Sequence, residues 1–275
     1  MTKTTTQFKA YSGRNIDQIP LMLAQGVVPF SVAGFMRNRN GIMGQFGNIY
    51  VDTSDLVAYG GKKASDQVKM ILTVDNQSRI TDNGRKTLEL ISPSQKRRNG
   101  AITLTGELYD GLNGPGVITL TRNEIEGYGL DNRAWRILMR DSNEVPAEFA
   151  YDKAQTLEAV QRTIDGVRAK GLDNPMGVCL DGFEKHAKLR AWCVSALGAG
   201  SGARGWINLD NVGGCFVGIA PEAQSASVEA TTVQDSGVKP YTIADLQAFD
   251  GSMKGLEGIV RPDVLKPLVN LRRKL

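Results

Sequence analysis

The chain has 275 residues, a net charge of +4 and 31 glycines, but a single histidine, His186. Hydrophobic residues at 41% and charged residues at 23% are ordinary globular values and exclude a wholly disordered, collagenous or membrane-embedded chain. One imidazole excludes a multi-histidine metal centre and leaves only His186 for histidine-based acid–base chemistry.

The stretch 1–45 reads as short helices separated by breakers. Ile16, Ile19 and Leu23 share one helical face before Gly26, and Pro20 predicts a bent or early-ending helix. Ser31 can cap a second short helix carrying Val32, Phe35 and Met36 inward, with Arg37 and Arg39 placed at its C-terminal dipole. Residues 46–150 read as a small α+β region, with strand-like runs at 48–52, 56–59, 67–74, 86–91, 101–105 and 116–120. Gly60-Gly61, Asp82-Asn83-Gly84, Asn99-Gly100 and Asn113-Gly114-Pro115-Gly116 supply the turns. Asp52 and Asp55, in VDTSD, read as an Asx-type turn between the first two strands; two carboxylates there are also a candidate cation or acid–base site. Thr105 can start a short helix, and Thr121-Arg-Asn-Glu124 is a capping box opening another.

In 151–223 the spacing of Leu157, Val160, Ile164 and Val167 predicts a helix over 153–170, with Asp152 as N-cap and Gly171 after its end. Strands are expected at 177–182, 190–197 and 215–220, with a glycine-rich stretch between the last two. Alternation over 190–195 puts Trp192 and Val194 inward and Cys193 and Ser195 outward. Residues 224–240 read as a linker. The tail, 241–275, carries a capping box at Thr242–Asp245 and Ile243, Leu246, Phe249, Met253, Leu256 and Ile259 along one face, a packing element through which a homo-oligomer could form.

Several chemical motifs weaken on inspection. Gly200–Gly205 has GxGxxG spacing after a strand, but no helix follows to present its N-terminal amides to a pyrophosphate, so a surface loop is expected. Cys179, His186, Cys193 and Cys215 are zinc-type ligands without the paired C-x(2–4)-C knuckle, and three cysteines make no disulfide framework. A Cys–His nucleophilic pair lacks a recognisable orienting group. No cofactor and no metal are expected. Both ends are basic, five basic residues against one acid in 1–50 and again in 261–275, but with aromatics at 7% the ends read as solvated and nucleic acid is not an expected partner. The start MTKTTTQFKAYSG lacks a signal-peptide core and no run is long enough to span a bilayer, so synthesis in the cytoplasm is expected; if the protein reaches the outside, lysis or assembly into a virion or other particle is a more natural route than secretion.

Residues 176–223 resemble the variable region of C-type-lectin-like target proteins of diversity-generating retroelements. The features in common are an Arg-Ala-Trp strand (190–192), a run of intermixed fixed and irregular positions, and a closing Phe216-Val217-Gly218 strand. With the N-terminal helices, strand-rich region and helical tail read above, the fold expected is α+β, and the resemblance implies a C-type-lectin-like C-terminal module in 151–223, standing alone or forming one domain with the preceding region. It also implies that adenine-directed mutagenesis varies the displayed surface. The ligand-binding surface it implies consists of Cys193, Ser195, Ala196, Gly198, Ala199, Gly200, Gly202, Arg204, Trp206, Ile207, Asn208, Asn211, Val212 and Gly213, with Trp192, Val194, Leu209 and Phe216 as scaffold. Arg204, Trp206 and Asn208 are the expected contact residues, Arg and Trp being frequent hot spots.

The expected function is therefore non-catalytic binding of a protein or surface ligand. A second reading is a structural or assembly protein of a virus or mobile element. A third is an enzyme using Asp52, Asp55 or Cys193.

Overall fold

The computed structural model describes residues 8–219 except 65, 74, 77–78, 81–85, 87, 130–131, 150–152, 170, 172–176, 183 and 197–201. The linker and tail predicted at 224–240 and 241–275 lie outside the described residues, as do the Asp82-Asn83-Gly84 turn and the Asp152 cap.

The chain enters on strand β1 (Phe8–Ser12), followed by helices α1 (Asn15–Ala24) and α2 (Val32–Phe46). Strands β2 (Val51–Tyr59) and β3 (Gln67–Ile71), a small β4–β5 pair (Asp75–Asn76, Arg79–Ile80), β6 (Arg97–Arg98) and β7 (Ala101–Leu104) come next. Helix α3 (Gly106–Gly111), β8 (Val117–Thr121) and helices α4 (Arg122–Ile125), α5 (Arg133–Leu138) and α6 (Lys153–Arg168) lead to β9 (Val178–Cys179), β10 (Ala187–Val194), β11 (Ala203–Arg204) and β12 (Cys215–Ile219).

Ten of these strands form one sheet, with β1-β12-β2-β10-β11-β9 as its main path; β3 and β8 extend from β2, and β7 and β6 from β10. The sheet therefore draws strands from each of the stretches 1–45, 46–150 and 151–223. Its alternating side chains feed two cores. Val57, Tyr59, Trp192, Val194 and Val217 pack with Phe35 and Met36 of α2, Trp135 of α5 and Ile164 of α6. Leu56, Ala58, Leu189, Ala191 and Phe216 pack with Ile16, Ile19 and Met22 of α1 and Tyr109 of α3. Both faces are covered, which is why β2 and β10 are buried along their whole lengths.

Several local signals act as expected. Ser31 accepts from the Gly34 amide at 3.0 Å to cap α2, Thr105 accepts from Leu108 at 3.1 Å to cap α3, and the Glu124 carboxylate accepts from the Thr121 amide at 2.7 Å. Lys69 closes the other end of α3, donating to the Tyr109 and Leu112 carbonyls at 2.7 and 2.8 Å.

Other expectations are corrected. Strand β1, inside a stretch that reads as helical, pairs antiparallel with β12, an interaction between distant segments that no local pattern encodes. Pro20 does not end α1, which continues to Ala24 with Met22 buried and Leu23 only partly so. Helix α2 runs to Phe46, so Arg37 and Arg39 sit in its middle. The run 86–91 is not a strand, since Lys86, Leu88 and Glu89 are helical and bury Leu88 and Ile91. Leu157 is 46% exposed while Val160 and Ile164 carry the inner face of α6. Cys193, expected outward, is 3% exposed; it lies at the base of the cleft described below, in the interior strand β10 with β2 and β11 as its neighbours.

The largest correction concerns VDTSD, which is the opening half of one continuous strand, β2, and not a turn between two. Strand β3 pairs with β2 over Leu56–Tyr59, β12 meets β2 at Asp52, and β10 shifts register between Ala191 and Cys193. Polar side chains fill the interrupted ladder. Thr53 donates to the Trp192 carbonyl at 2.9 Å, Ser54 shares a hydrogen bond with Thr73 at 2.6 Å, and Asp55 pairs with Arg140 at 2.7 Å with no side-chain exposure on either partner. Asp55 also accepts from the amides of Val32 at 3.0 Å and Thr73 at 2.9 Å.

Removing one member of a buried pair strands the other without water. Asp55→Ala is expected to cost about 3–5 kcal/mol in urea unfolding, and the Asp55→Ala/Arg140→Ala double variant less than the sum of the singles. A loss below about 1 kcal/mol would show that the pair is not a structural anchor.

Candidate functional site

At the end of β10 the chain leaves the sheet and returns through β11 and the loop 205–214. A cleft of about 420 Å³ opens there, lined by Tyr50, Cys193, Ser195, Ala196, Arg204, Trp206, Ile207, Asn208, Asn211 and Gly214. Eight of these are among the residues singled out from the sequence. Of the others singled out, Gly198, Ala199 and Gly200 lie outside the described residues. Gly202 does not line the cleft; it packs against the Gly177 backbone so closely that a Cβ would lie 2.2 Å from that carbonyl oxygen. Val212, 77% exposed, and Gly213 lie outside the lining. Tyr50 and Gly214 line the cleft without having been singled out. For Tyr50 the available signal was an aromatic immediately before a strand, which core packing explains as readily.

The four positions read as scaffold, Trp192, Val194, Leu209 and Phe216, are all 0% exposed. Sequence neighbours are thus divided between core and cleft.

The loop backbone is held from below by buried polar groups. Arg190 donates to the carbonyls of Ile207 at 2.7 Å, Gly100 at 3.0 Å and Asn99 at 2.8 Å. Tyr59 donates to Gly205 at 2.7 Å, and Tyr50 to Gly213. The Ile16 amide donates to Leu209 at 3.2 Å, Asn211 to Asn208 at 3.0 Å, and Gly214 to Asn211 at 3.3 Å. Arg39, 3% exposed, donates to the Ser195 carbonyl at 2.8 Å, and burial lowers its guanidinium to about 10. Gly100 completes the support: its φ of +67° places its carbonyl under the Leu209 amide at 2.8 Å, and a Cβ there would meet the Asn208 side chain.

The same accounting fixes the polarity of the lining. The Asn208 side-chain oxygen accepts from the Asp210 amide at 2.9 Å and that of Asn211 from the Gly213 amide at 3.0 Å, so both Nδ2 groups are the ends without an acceptor among the described residues. The Arg204 guanidinium lies 5.3 Å from the Trp206 ring centroid, and among the described residues no carboxylate pairs with it. Trp206 itself is 40% exposed. Arg97 meets Asp210 at 3.0 Å.

Beneath the cleft, Asp52 is fully buried and accepts from the Cys215 amide at 2.9 Å. Burial pushes its carboxyl up to about 7, against the Cys215 amide and the Asn15 side chain, which favour the charged form. Burial and the nearby Asp52 charge also raise the thiols of Cys193 and Cys215 and bring the Tyr50 phenol to about 12. Cys179, Cys193 and Cys215 are free thiols, and His186 is exposed. Among the described residues no group of three His, Cys, Asp or Glu side chains could hold a metal ion, and no helix is long and apolar enough to cross a membrane. The acid pair Asp52 and Asp55 has no exposed surface, and Asp55 is committed to Arg140.

No protein-family model matches the chain, and no curated protein matches it. A solved structure does, one described as showing how the C-type lectin fold accommodates massive sequence variation in Nanoarchaeota. It aligns with a TM-score of 0.50 at 14% identity, covering 80% of this chain and all of that one. The likeness shows the fold. It also extends well beyond the segment 151–223, to which the sequence resemblance assigned the lectin-like module.

An aspartic acid whose folded pKa exceeds its unfolded value binds its proton more tightly when folded, so its contribution to stability falls as pH rises from about 4 to about 7 and is level above that. Asp52→Asn keeps an acceptor for Cys215 and removes the ionisation. The variant is expected to gain on the parent by a few kcal/mol between pH 5 and pH 8, read from urea midpoints. An equal difference at both pH values would show that Asp52 is ionised throughout.

Proposed function

We propose that the chain is a non-catalytic, lectin-like ligand-binding protein, that the cleft is its recognition surface, and that the eight lining positions between Cys193 and Asn211 are among those a diversity-generating retroelement varies. The ligand would be a protein or another surface-borne molecule. The observation that carries this reading is the division within one segment. Trp192, Val194, Leu209 and Phe216 have no exposed surface, whereas Ser195, Arg204, Trp206, Asn208 and Asn211 open onto one cleft.

Side chains on a backbone anchored from below can change without disturbing the core, which is what a diversified surface needs. The accommodation of sequence variation described for the solved structure of similar fold supports the reading by analogy. At the level of DNA, the proposal requires a template repeat beside a reverse-transcriptase gene, with differences confined to adenines in the codons of the cleft.

Randomising positions 195, 204, 208 and 211 together tests the physical part. Most library members should keep a cooperative thermal transition within about 5 °C of the parent, as surface changes usually do. Phe216→Ala should lose about 3–5 kcal/mol. Frequent loss of cooperative unfolding within the cleft library would overturn the reading of these positions as a tolerant display surface.

A further inference from the structure

We propose that the cleft selects an acceptor-only anionic group, the carboxylate of an acidic segment on a protein partner. The inference rests on the reading of this cleft as a ligand site and adds the chemistry of what enters it.

Along the loop, the carbonyls of Gly205, Ile207, Asn208, Leu209, Asn211 and Gly213 each already accept a hydrogen bond from within the protein. The side-chain oxygens of Asn208 and Asn211 are taken by the amides of Asp210 and Gly213. Among the side chains of the lining, what remains for a ligand is mostly donors: the two Nδ2 groups and the guanidinium of Arg204. Among the described residues the hydroxyls of Tyr50 and Ser195 are the remaining side-chain oxygen acceptors in the lining, and it includes no carboxylate.

A neutral saccharide brings a donor with every hydroxyl and would find few acceptors to meet them, leaving buried O–H groups unpaired. A carboxylate brings acceptors only, and a guanidinium can take it through two parallel N–H···O bonds. The Arg204 plane is steadied by Trp206 at 5.3 Å, so little side-chain freedom is lost on binding. The neighbouring acid, Asp210, is met by Arg97 at 3.0 Å, which reduces its repulsion of an incoming anion. At about 420 Å³, the cleft suits one or two side chains of a partner rather than a long polymer.

The test uses the full chain, isotopically labelled, with Ac-Glu-Glu-NH2, Ac-Gln-Gln-NH2 and methyl α-mannoside as separate probes. NMR would follow the Arg204 Nε–H, the Trp206 indole N–H and the side-chain amides of Asn208 and Asn211. Saturable shifts of these signals with the glutamate dipeptide alone are expected, weakening as salt rises from about 50 to about 500 mM. Arg204→Ala should weaken that binding about tenfold or more, and Arg204→Lys by less, both with an unchanged thermal midpoint. An equal response to the glutamine dipeptide or to the mannoside, or acidic binding that survives Arg204→Ala, would overturn the proposal. If the cleft library folds but these signals do not respond to the acidic probe, the ligand class fails while the display reading stands. If the library does not fold, the display reading itself fails.

Discussion

A carboxylate and a guanidinium shut away from water determine where the central strand lies. Asp55 and Arg140 meet at 2.7 Å with no side-chain exposure, and each costs several kcal/mol to desolvate. The geometry offsets that cost by using the charges repeatedly. Asp55 also accepts from the first amide of α2, at Val32, and from Thr73 beyond β3, while Arg140 donates to the carbonyls of Leu138 at 2.7 Å and Thr73 at 3.0 Å. Its left-handed backbone, φ +62°, belongs to the turn that follows α5. One pair thus joins α2, the centre of β2, the segment after β3 and the end of α5. With β2 fixed, β10 is fixed along it, and the end of β10 is where the cleft begins.

The cleft extends the same economy. Lys188 and Arg190, both in the buried strand β10, converge on Asp181 at 2.6 Å each. Burial pushes the Asp181 carboxyl up, but the Lys188 hydrogen bond and the two cations outweigh it and hold the group below its usual range. Held this way on its other side, Arg190 directs its remaining donors to Asn99, Gly100 and Ile207, so an irregular loop inherits its shape from a regular strand. Tyr59 does the same from β2, reaching the Gly205 carbonyl. The groups that shape the cleft are therefore mostly not the groups that line it.

This separation explains what was legible in the sequence. Caps at Ser31 and Thr105 and the Thr121–Glu124 box are local, satisfied within four residues, and were readable. So was the division of 192–216 into bulky apolar positions and small or polar ones, because apolar side chains placed in a strand or beside it must find a core. The pairing of β1 with β12 was not readable, since its partners are more than two hundred positions apart. VDTSD was misread for a related reason: four polar residues in a row look like a turn unless the distant partners that satisfy them, Arg140, Thr73, Trp192 and Cys215, are known. Arg190, Tyr59 and Arg39 looked like ordinary strand and helix residues, and nothing local marks them as supports for a cleft.

Anchoring the loop by its carbonyls has a further consequence for recognition. If the cleft is the ligand site proposed above, a loop with six of its carbonyls already occupied leaves the sign and selectivity of the cleft mostly to the side chains. Arg204 supplies charge, Asn208 and Asn211 supply donors, and Trp206 supplies a flat apolar surface. Exchanging Arg204 for an acid would reverse the electrostatic preference while Arg190, Tyr59 and Tyr50 continued to hold the same backbone in place. In a surface of the proposed kind, specificity can move far while the fold moves little, because apart from Tyr50, Asn208 and Asn211 the groups that hold the loop are not the groups that line it.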